Sequence, residues 1–206
     1  MTRFRTYGVP GIAFAIVAAA GILSNVHRAA AQPENPDESR IQQGFRIAPV
    51  PLNLTGKNRE LVGLGSYIVN TNECADCHSN PWFLPGGSPF LGQPEQANQA
   101  GYLAGGRIFK VPDVAGATVT SRNLAPDVLG RPAGYTFDQF AMAIRTGADL
   151  KNLPPFIPSQ SHDLLQVMPW PAFDDWTDRD LRAVYEYLSA IPCVEGGPGV
   201  PAERCR

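Results

Sequence analysis

Cysteine and histidine are scarce in this 206-residue chain, which has four cysteines and three histidines. A structural zinc site needs four ligands, usually from a second C-x-x-C or H-x-x-x-H pair, and the sequence has no such pair. A thioredoxin-type redox pair would need a βαβ context, which is also missing. These absences argue against two common uses of a cysteine pair.

Basic charge and long apolar runs are scarce too. The formal charge is −2, with 17 basic and 19 acidic residues, which is not the profile of a nucleic-acid-binding protein. Glycine and proline number 20 each, so we expect short elements joined by long ordered loops rather than a large sheet. The hydrophobic fraction of 44% is enough for the packed core of one domain.

The first 31 residues have the three-part pattern of a secretory signal peptide. Two arginines in M-T-R-F-R precede the uncharged, apolar residues 8–23, and three alanines ending at Ala31 supply a cleavage site. The alternative is an uncleaved membrane anchor, but the apolar run is shorter than the roughly 20 residues of a membrane span. The sequence therefore predicts export, which in a bacterium means the periplasm.

The exported part of the chain divides into three predicted regions. Residues 32–57 are polar and proline-rich, which predicts a flexible leader or an extended arm. Residues 58–192 are predicted to form the folded domain, and residues 193–206 a glycine- and proline-rich tail. Apolar periodicity and capping residues predict helices in the domain at residues 58–72, 136–146 and 177–190.

The segment E-C-A-D-C-H, residues 73–78, is where cysteine and histidine occur together. C-x-x-C-H is the attachment signature of a c-type haem. Cys74 and Cys77 lie one helical turn apart, a spacing that lets each thiol form a thioether with one porphyrin vinyl group. His78 follows with its ring available to the iron. We therefore predict one covalently bound haem c with His78 as an axial ligand.

The second axial ligand should come from another methionine or histidine. Met142 lies within a predicted amphipathic helix, so we expect it in the core. Met168 lies in L-L-Q-V-M-P-W-P-A-F, an apolar loop stiffened by proline, which would hold a weak thioether ligand at little entropic cost. We predict Met168 as the ligand, which would raise the haem potential. His162, in a polar loop, is the alternative ligand, or else a solvated surface residue.

These features resemble the class I c-type cytochromes over roughly residues 58–192. Gly65, ahead of C-x-x-C-H, resembles the first-helix glycine that lets the last helix cross closely, and V-Y-E-Y-L at 184–188 resembles the end of that last helix. The resemblance implies an all-α, cytochrome c-like fold of a few short helices around one haem, with long loops rich in proline and glycine. It also implies that Gly65 packs near Val184 or Tyr187.

Within that class the chain resembles the single-haem modules of cytochrome subunits from bacterial membrane dehydrogenases. In that family the N-L-x-P-D loop lies against the haem edge, so the resemblance implies Arg122 and Asn123 as propionate contacts; a solvated arginine and a turn-forming asparagine are the other interpretation. Such subunits often hold three C-x-x-C-H motifs, whereas this chain has one. The segments that carry the resemblance are G-G-R-I-F (105–109), S-R-N-L-A-P-D (121–127), G-Y-T-F-D-Q-F (134–140) and A-I-R-T-G (143–147).

Three further expectations concern the C-terminal tail and the surroundings of the haem. Cys193 and Cys205 should pair in an exported chain, with two unpaired thiols as the alternative. His78 should donate its second ring N–H to a backbone carbonyl. The candidate carbonyls are those of Pro81, Pro85 and Pro89, and the candidate pocket aromatics, which could equally be core, are Trp82, Phe83, Trp170, Phe173 and Trp176.

The leading functional hypothesis is a periplasmic electron-transfer protein rather than an enzyme. No residue is assigned a catalytic role, and no small-molecule substrate is expected. The partners would be a redox protein donor and acceptor, such as a dehydrogenase or a terminal oxidase. The alternative is a haem-containing subunit of a periplasmic dehydrogenase, or a small haem enzyme whose sixth ligand is displaceable.

Overall fold

The computed structural model describes residues 36–112, 114–151, 164–195 and 204–206. The predicted signal peptide and His162 lie outside this part of the chain. None of the helices in the described ranges is long and apolar enough to cross a membrane. The helices are α1 (Glu38–Ile47), α2 (Arg59–Thr71), α3 (Cys74–His78), α4 (Phe137–Thr146) and α5 (Asp178–Leu188), and the strands are β1 (Ile108–Lys110) and β2 (Thr118–Thr120).

The three helices predicted from the sequence are present, and each begins at a side-chain cap. The side chain of Asn58 accepts a hydrogen bond from the backbone N–H of Leu61 at 3.2 Å, at the start of α2. Thr136 and Thr177 each form a capping box at the start of α4 and α5. Gly147 ends α4 with φ of 69°, in the left-handed region that favours glycine. Local sequence therefore determines where these helices begin and end.

The structure differs from the prediction of a flexible leader or extended arm over residues 32–57. Ten of these residues form α1, which packs against α2. The hydroxyl of Ser66 donates to the carbonyl of Gly44 at 2.7 Å, and a side chain at Gly44 would overlap the carbonyl of Gly63. Polar composition suggested a solvated segment, but packing of one apolar face stabilises the helix.

The crossing of α2 and α5 organises the core. A Cβ atom at Gly65 would overlap the carbonyl oxygen of Ala183 and lie 2.8 Å from Cβ of Tyr187, so the two backbones touch at this point. The expectation that Gly65 packs near Tyr187 is thereby confirmed. Buried residues of the two helices that belong to this core are Val62, Leu64, Ile68, Val69, Leu181, Ala183, Val184, Tyr187 and Leu188.

The described fold is helix-rich, as predicted, and it also contains a small two-stranded sheet that the prediction of an all-α fold did not include. Strands β1 and β2 pair antiparallel, with Phe109 opposite Val119. The sequence analysis assigned this region to loops because no long periodic run occurs between residues 79 and 132. The aromatic and β-branched residues of I-F-K and T-V-T were the available signal, since such residues favour strands.

The C-terminal tail is closed by the predicted disulfide. Cys193 and Cys205 are bonded, with their Cα atoms 5.7 Å apart and a sequence separation of 12. A closed loop of this size stabilises a fold by about 3 kcal/mol through the entropy of the unfolded chain. The pairing confirms the expectation and excludes the alternative of two unpaired thiols.

Candidate haem-binding site

A cavity of about 600 Å³ brings the predicted ligands together. This volume lies in the range of sites that hold cofactors. Helix α3 contributes Cys74, Cys77 and His78 to the wall, and the loop before α5 contributes Met168. Apolar and aromatic residues that also line the cavity are Val69, Phe109, Val119, Leu124, Tyr135, Phe140, Ile144, Leu165, Phe173, Trp176, Val184 and Leu188.

Helix α3 is a single short turn that carries both thiols and the imidazole. The backbone N–H of Ser79 donates to the carbonyl of Ala75 at 2.9 Å and closes the turn. The two thiols of the turn are not bonded to each other. Burial raises the pKa of Cys74 to about 12 and also raises the pKa of Cys77. Both side chains are therefore neutral thiols at neutral pH, unpaired and facing the cavity.

The ring of His78 is fixed by a backbone carbonyl. Its Nδ1 lies 2.7 Å from the carbonyl oxygen of Arg122. A carbonyl oxygen only accepts hydrogen bonds, so Nδ1 carries the proton and Nε2 keeps the lone pair that a metal needs. Burial lowers the pKa of His78, which favours the neutral ring. The expected kind of acceptor is present, but the candidates Pro81, Pro85 and Pro89 were wrong.

The carbonyl of Arg122 reaches His78 because the intervening chain folds back over α3. The backbone N–H of Gly105 donates to the carbonyl of His78 at 2.6 Å, and the N–H of Leu124 donates to the carbonyl of Leu103 at 2.8 Å. Gly105 has φ of 74°, and a Cβ there would lie 2.5 Å from the carbonyl carbon of Arg122. Only glycine suits this position, which gives the G-G-R-I-F segment a physical role.

The Met168 loop is attached to the end of α4. The backbone N–H of Leu165 donates to the carbonyl of Gly147 at 2.7 Å. The indole of Trp170 covers Gly147 so closely that a Cβ there would overlap the ring. The N–H of Trp170 also donates to the carbonyl of Met168 at 2.8 Å. These contacts hold the half-buried Met168 at the cavity wall.

The other two candidates for the second axial ligand, Met142 and His162, are not placed at the cavity wall by the described structure. Met142 is 41% exposed, so the prediction of a core residue is wrong. Its helix buries Phe140, Ala143 and Ile144, which lie on another face of α4. Met142 is also absent from the described residues that line the cavity. His162 lies outside the described ranges, so it stays an alternative on sequence grounds.

Arg122 and Asn123 both line the cavity, and both also have protein partners. Arg122 forms an ion pair with Asp149. Asn123 is 1% exposed; its amide nitrogen donates to the carbonyl of Val194 at 3.0 Å, and its amide oxygen accepts from the N–H of Ala125 at 2.8 Å. These bonds agree with a turn-forming asparagine, and contact of either residue with a propionate stays a prediction.

The five aromatic candidates separate into two groups. Phe173 and Trp176 line the cavity. Trp82 and Phe83 stack on each other with ring centroids 4.7 Å apart, and Trp170 covers the end of α4. These three are absent from the described cavity lining.

The described part of the cavity wall carries an excess of positive charge. Its cationic side chains are Arg122, Lys151 and Arg204, and its one carboxylate is Asp149. Burial lowers the pKa of Lys151, and the charges of Arg204 and Arg122 lower it further. Sequence analysis missed Lys151 and Arg204, since no local motif marks either residue. An anionic ligand would relieve the repulsion among these cations.

Taken together, the wall fits a c-type haem. Such a haem offers two vinyl groups to thiols, an iron to an imidazole and a thioether, and two propionate carboxylates to cations. The described wall provides the neutral thiols of Cys74 and Cys77 and a neutral His78 ring whose Nε2 keeps its lone pair. It also provides the thioether of Met168 and more cations than carboxylates. The described wall therefore offers the kinds of donor that a c-type haem uses.

Known proteins similar to this chain are cytochrome subunits of dehydrogenases, although no protein-family model matches it. The chain is 28% identical over 131 residues to the gluconate 2-dehydrogenase cytochrome c subunit of Pantoea cypripedii. It is 26% identical over 143 residues to the fructose dehydrogenase cytochrome subunit of Gluconobacter japonicus. It is 30% identical over 128 residues to the cytochrome c subunit of a quinone alcohol dehydrogenase of Gluconacetobacter polyoxogenes.

These matches cover most of this chain but a small part of each relative. They span 64%, 69% and 62% of the chain, and 23%, 24% and 21% of the relatives in the same order. The chain is thus similar to about a quarter or less of each subunit. The resemblance to cytochrome c modules of dehydrogenase subunits, predicted from the sequence, is confirmed.

Proposed function

We propose that this chain is an exported electron-transfer protein with one covalent haem c. Cys74 and Cys77 would carry the thioethers, and His78 and Met168 would be the axial ligands in a cytochrome c-like domain of residues 58–192. The observation that carries the proposal is that the C-x-x-C-H turn and the Met168 loop line one cavity. The relatives, named as cytochrome subunits, support electron transfer and do not favour a small haem enzyme.

A haem bound in this cavity would supply an iron that accepts and donates one electron. The chain's own residues keep the surroundings constant during that change. The carbonyl of Arg122 holds the ring of His78 in one tautomer and orientation. The contacts of Leu165 and Trp170 with the end of α4 hold Met168 in place. Because backbone contacts fix both ligands, little rearrangement is needed between the oxidation states.

We infer that the electron donor is a dehydrogenase in the periplasm. The relatives are subunits of dehydrogenases for gluconate, fructose and alcohols, and the proposal takes from them the class of partner only. This chain would accept electrons from such an enzyme and pass them to a second redox protein. Export by residues 1–31 would place it in the compartment where such a partner works.

The proposal is tested by spectra of the holoprotein, produced from the full chain in a host that attaches haem c. We expect a low-spin haem in both oxidation states, because an imidazole nitrogen and a thioether would occupy both axial positions throughout. Cyanide at low concentration should leave the ferric spectrum unchanged over minutes. Rapid cyanide binding or turnover of peroxide would contradict the proposal and favour an enzyme with a displaceable sixth ligand.

A further inference from the structure

The disulfide-closed tail brings a buried cation to the cavity. Arg204 directly precedes Cys205, which is bonded to Cys193 beyond the end of α5. Arg204 is 8% exposed and lines the cavity, although it lies more than 120 residues after the C-x-x-C-H segment. The sequence places this residue in a glycine- and proline-rich tail, with no motif around it. Its position at the cavity is therefore a product of the fold.

The backbone on both sides of this arginine is held by hydrogen bonds. The carboxylate of Glu195 accepts from the N–H of Arg204 at 2.9 Å and from the N–H of Cys205 at 3.2 Å. The carbonyl of Arg204 accepts from the N–H of Val128 at 2.9 Å. With the disulfide, these bonds fix the segment against the loop that follows Asn123. The arginine is therefore held in one place before any ligand binds.

The side chain of Arg204 is oriented by two carbonyls of the same loop. Its guanidinium donates to the carbonyl oxygen of Ala125 and, at 3.5 Å, to that of Pro126. Two donors of the five on a guanidinium are used in this way. Within the described ranges the side chain forms no ion pair. Burial lowers the pKa of Arg204, and the nearby carboxylate whose charge raises it is Asp127, which is already paired with Arg131. A buried guanidinium with donors to spare is suited to a further anion.

The neighbouring charges strengthen this argument. Arg122 is paired with Asp149, and the nearby Asp127 is paired with Arg131. Burial lowers the pKa of Arg204, and the charge of Arg204 contributes to the lowered pKa of Lys151. Two cations at the described wall, Arg204 and Lys151, thus lack an ion-pair partner among the described residues. An anion with two carboxylates would balance both.

Resting on the proposed function, we propose that Arg204 holds a haem propionate, and that the disulfide-closed tail sets the haem potential by keeping this cation at the cavity. A propionate next to a fixed cation is neutralised, whereas an unpaired propionate stabilises the more positive ferric iron. Loss of the cation should therefore favour the ferric state. Arg204 would thus bind the cofactor and position one of its carboxylates.

The experiment is a spectroelectrochemical titration of purified holoprotein variants that carry equal amounts of attached haem. Arg204→Met removes the charge with a side chain of similar length, Arg204→Lys keeps the charge, and Arg206→Met removes an exposed charge from the same tail. We expect the ferrous-to-ferric ratio at a fixed potential to fall several-fold in Arg204→Met. It should stay within twofold of the wild-type value in the other two variants.

A second variant covers the case in which Arg204→Met fails to fold. Cys193→Ser combined with Cys205→Ser releases the tail while keeping Arg204, and it should shift the potential in the same direction. Equal potentials in all variants, with haem attached, would overturn the inference and leave the proposed function intact. Absence of attached haem in the wild-type protein would overturn both. A loss of stability in Arg204→Met and Arg204→Lys alike, without a shift in potential, would show a structural role only.

Discussion

Met168→Ala is expected to convert the low-spin haem to a high-spin or water-ligated form and to lower its midpoint potential. Alanine cannot reach the iron, so the sixth position would be left to water or to a weaker ligand. The thioether favours ferrous iron, and its loss removes that preference. Absorption and electron paramagnetic resonance spectra of the ferric protein measure the spin state, and a redox titration measures the potential.

Met142→Ala is the matched control for this prediction. It removes the same side chain from an exposed position of α4, outside the described cavity wall, so the spectrum and the potential should not change. A low-spin spectrum and an unchanged potential in Met168→Ala would remove Met168 as the ligand. His162 would then become the candidate, and Met168→Ala combined with His162→Ala would test it.

Gly65→Val is expected to prevent formation of the native core. The new Cβ would overlap the backbone carbonyl of Ala183, and a backbone atom cannot move aside as the end of a flexible side chain can. Overpacking typically costs about 1–3 kcal/mol and occasionally more, and a clash with backbone belongs at the upper end of that range. That is a large part of the roughly 5–15 kcal/mol by which most domains are stable. Chemical denaturation followed by circular dichroism measures the change in the free energy of unfolding.

The matched control introduces the same residue at an exposed position of the same helix. Glu60→Val lies at the start of α2, where no core contact is lost, and surface substitutions usually change stability by about 0.5 kcal/mol or less. If Gly65→Val were as stable as Glu60→Val, the close crossing of α2 and α5 would be wrong. The core arrangement on which the cavity depends would then need revision.

The elements that the sequence predicted well are those that local chemistry determines. Asn58, Thr136 and Thr177 cap the helices that follow them, and Gly147 ends α4, because a cap needs only residues within one turn. The C-x-x-C-H turn is equally local. Its two thiols and its imidazole reach one cavity because a single helical turn carries all three.

The features that the sequence missed depend on contacts between distant segments. Helix α1 has a polar composition and is stabilised by packing of one apolar face on α2, a contact that composition alone does not reveal. The partner of His78 is the carbonyl of Arg122, 44 residues later, rather than a nearby proline. Lys151 and Arg204 reach the cavity through loops whose course only the folded structure defines. Contacts between distant segments thus determine which residues surround the C-x-x-C-H turn.

The most direct test of the central claim is the intact mass of the exported protein, made in a host that attaches haem c. The wild-type mass should exceed that of the processed polypeptide by one haem, and the addition should survive denaturation because the bonds are covalent. Cys74→Ser combined with Cys77→Ser should have the mass of the polypeptide alone. A wild-type protein with no added mass would contradict the account.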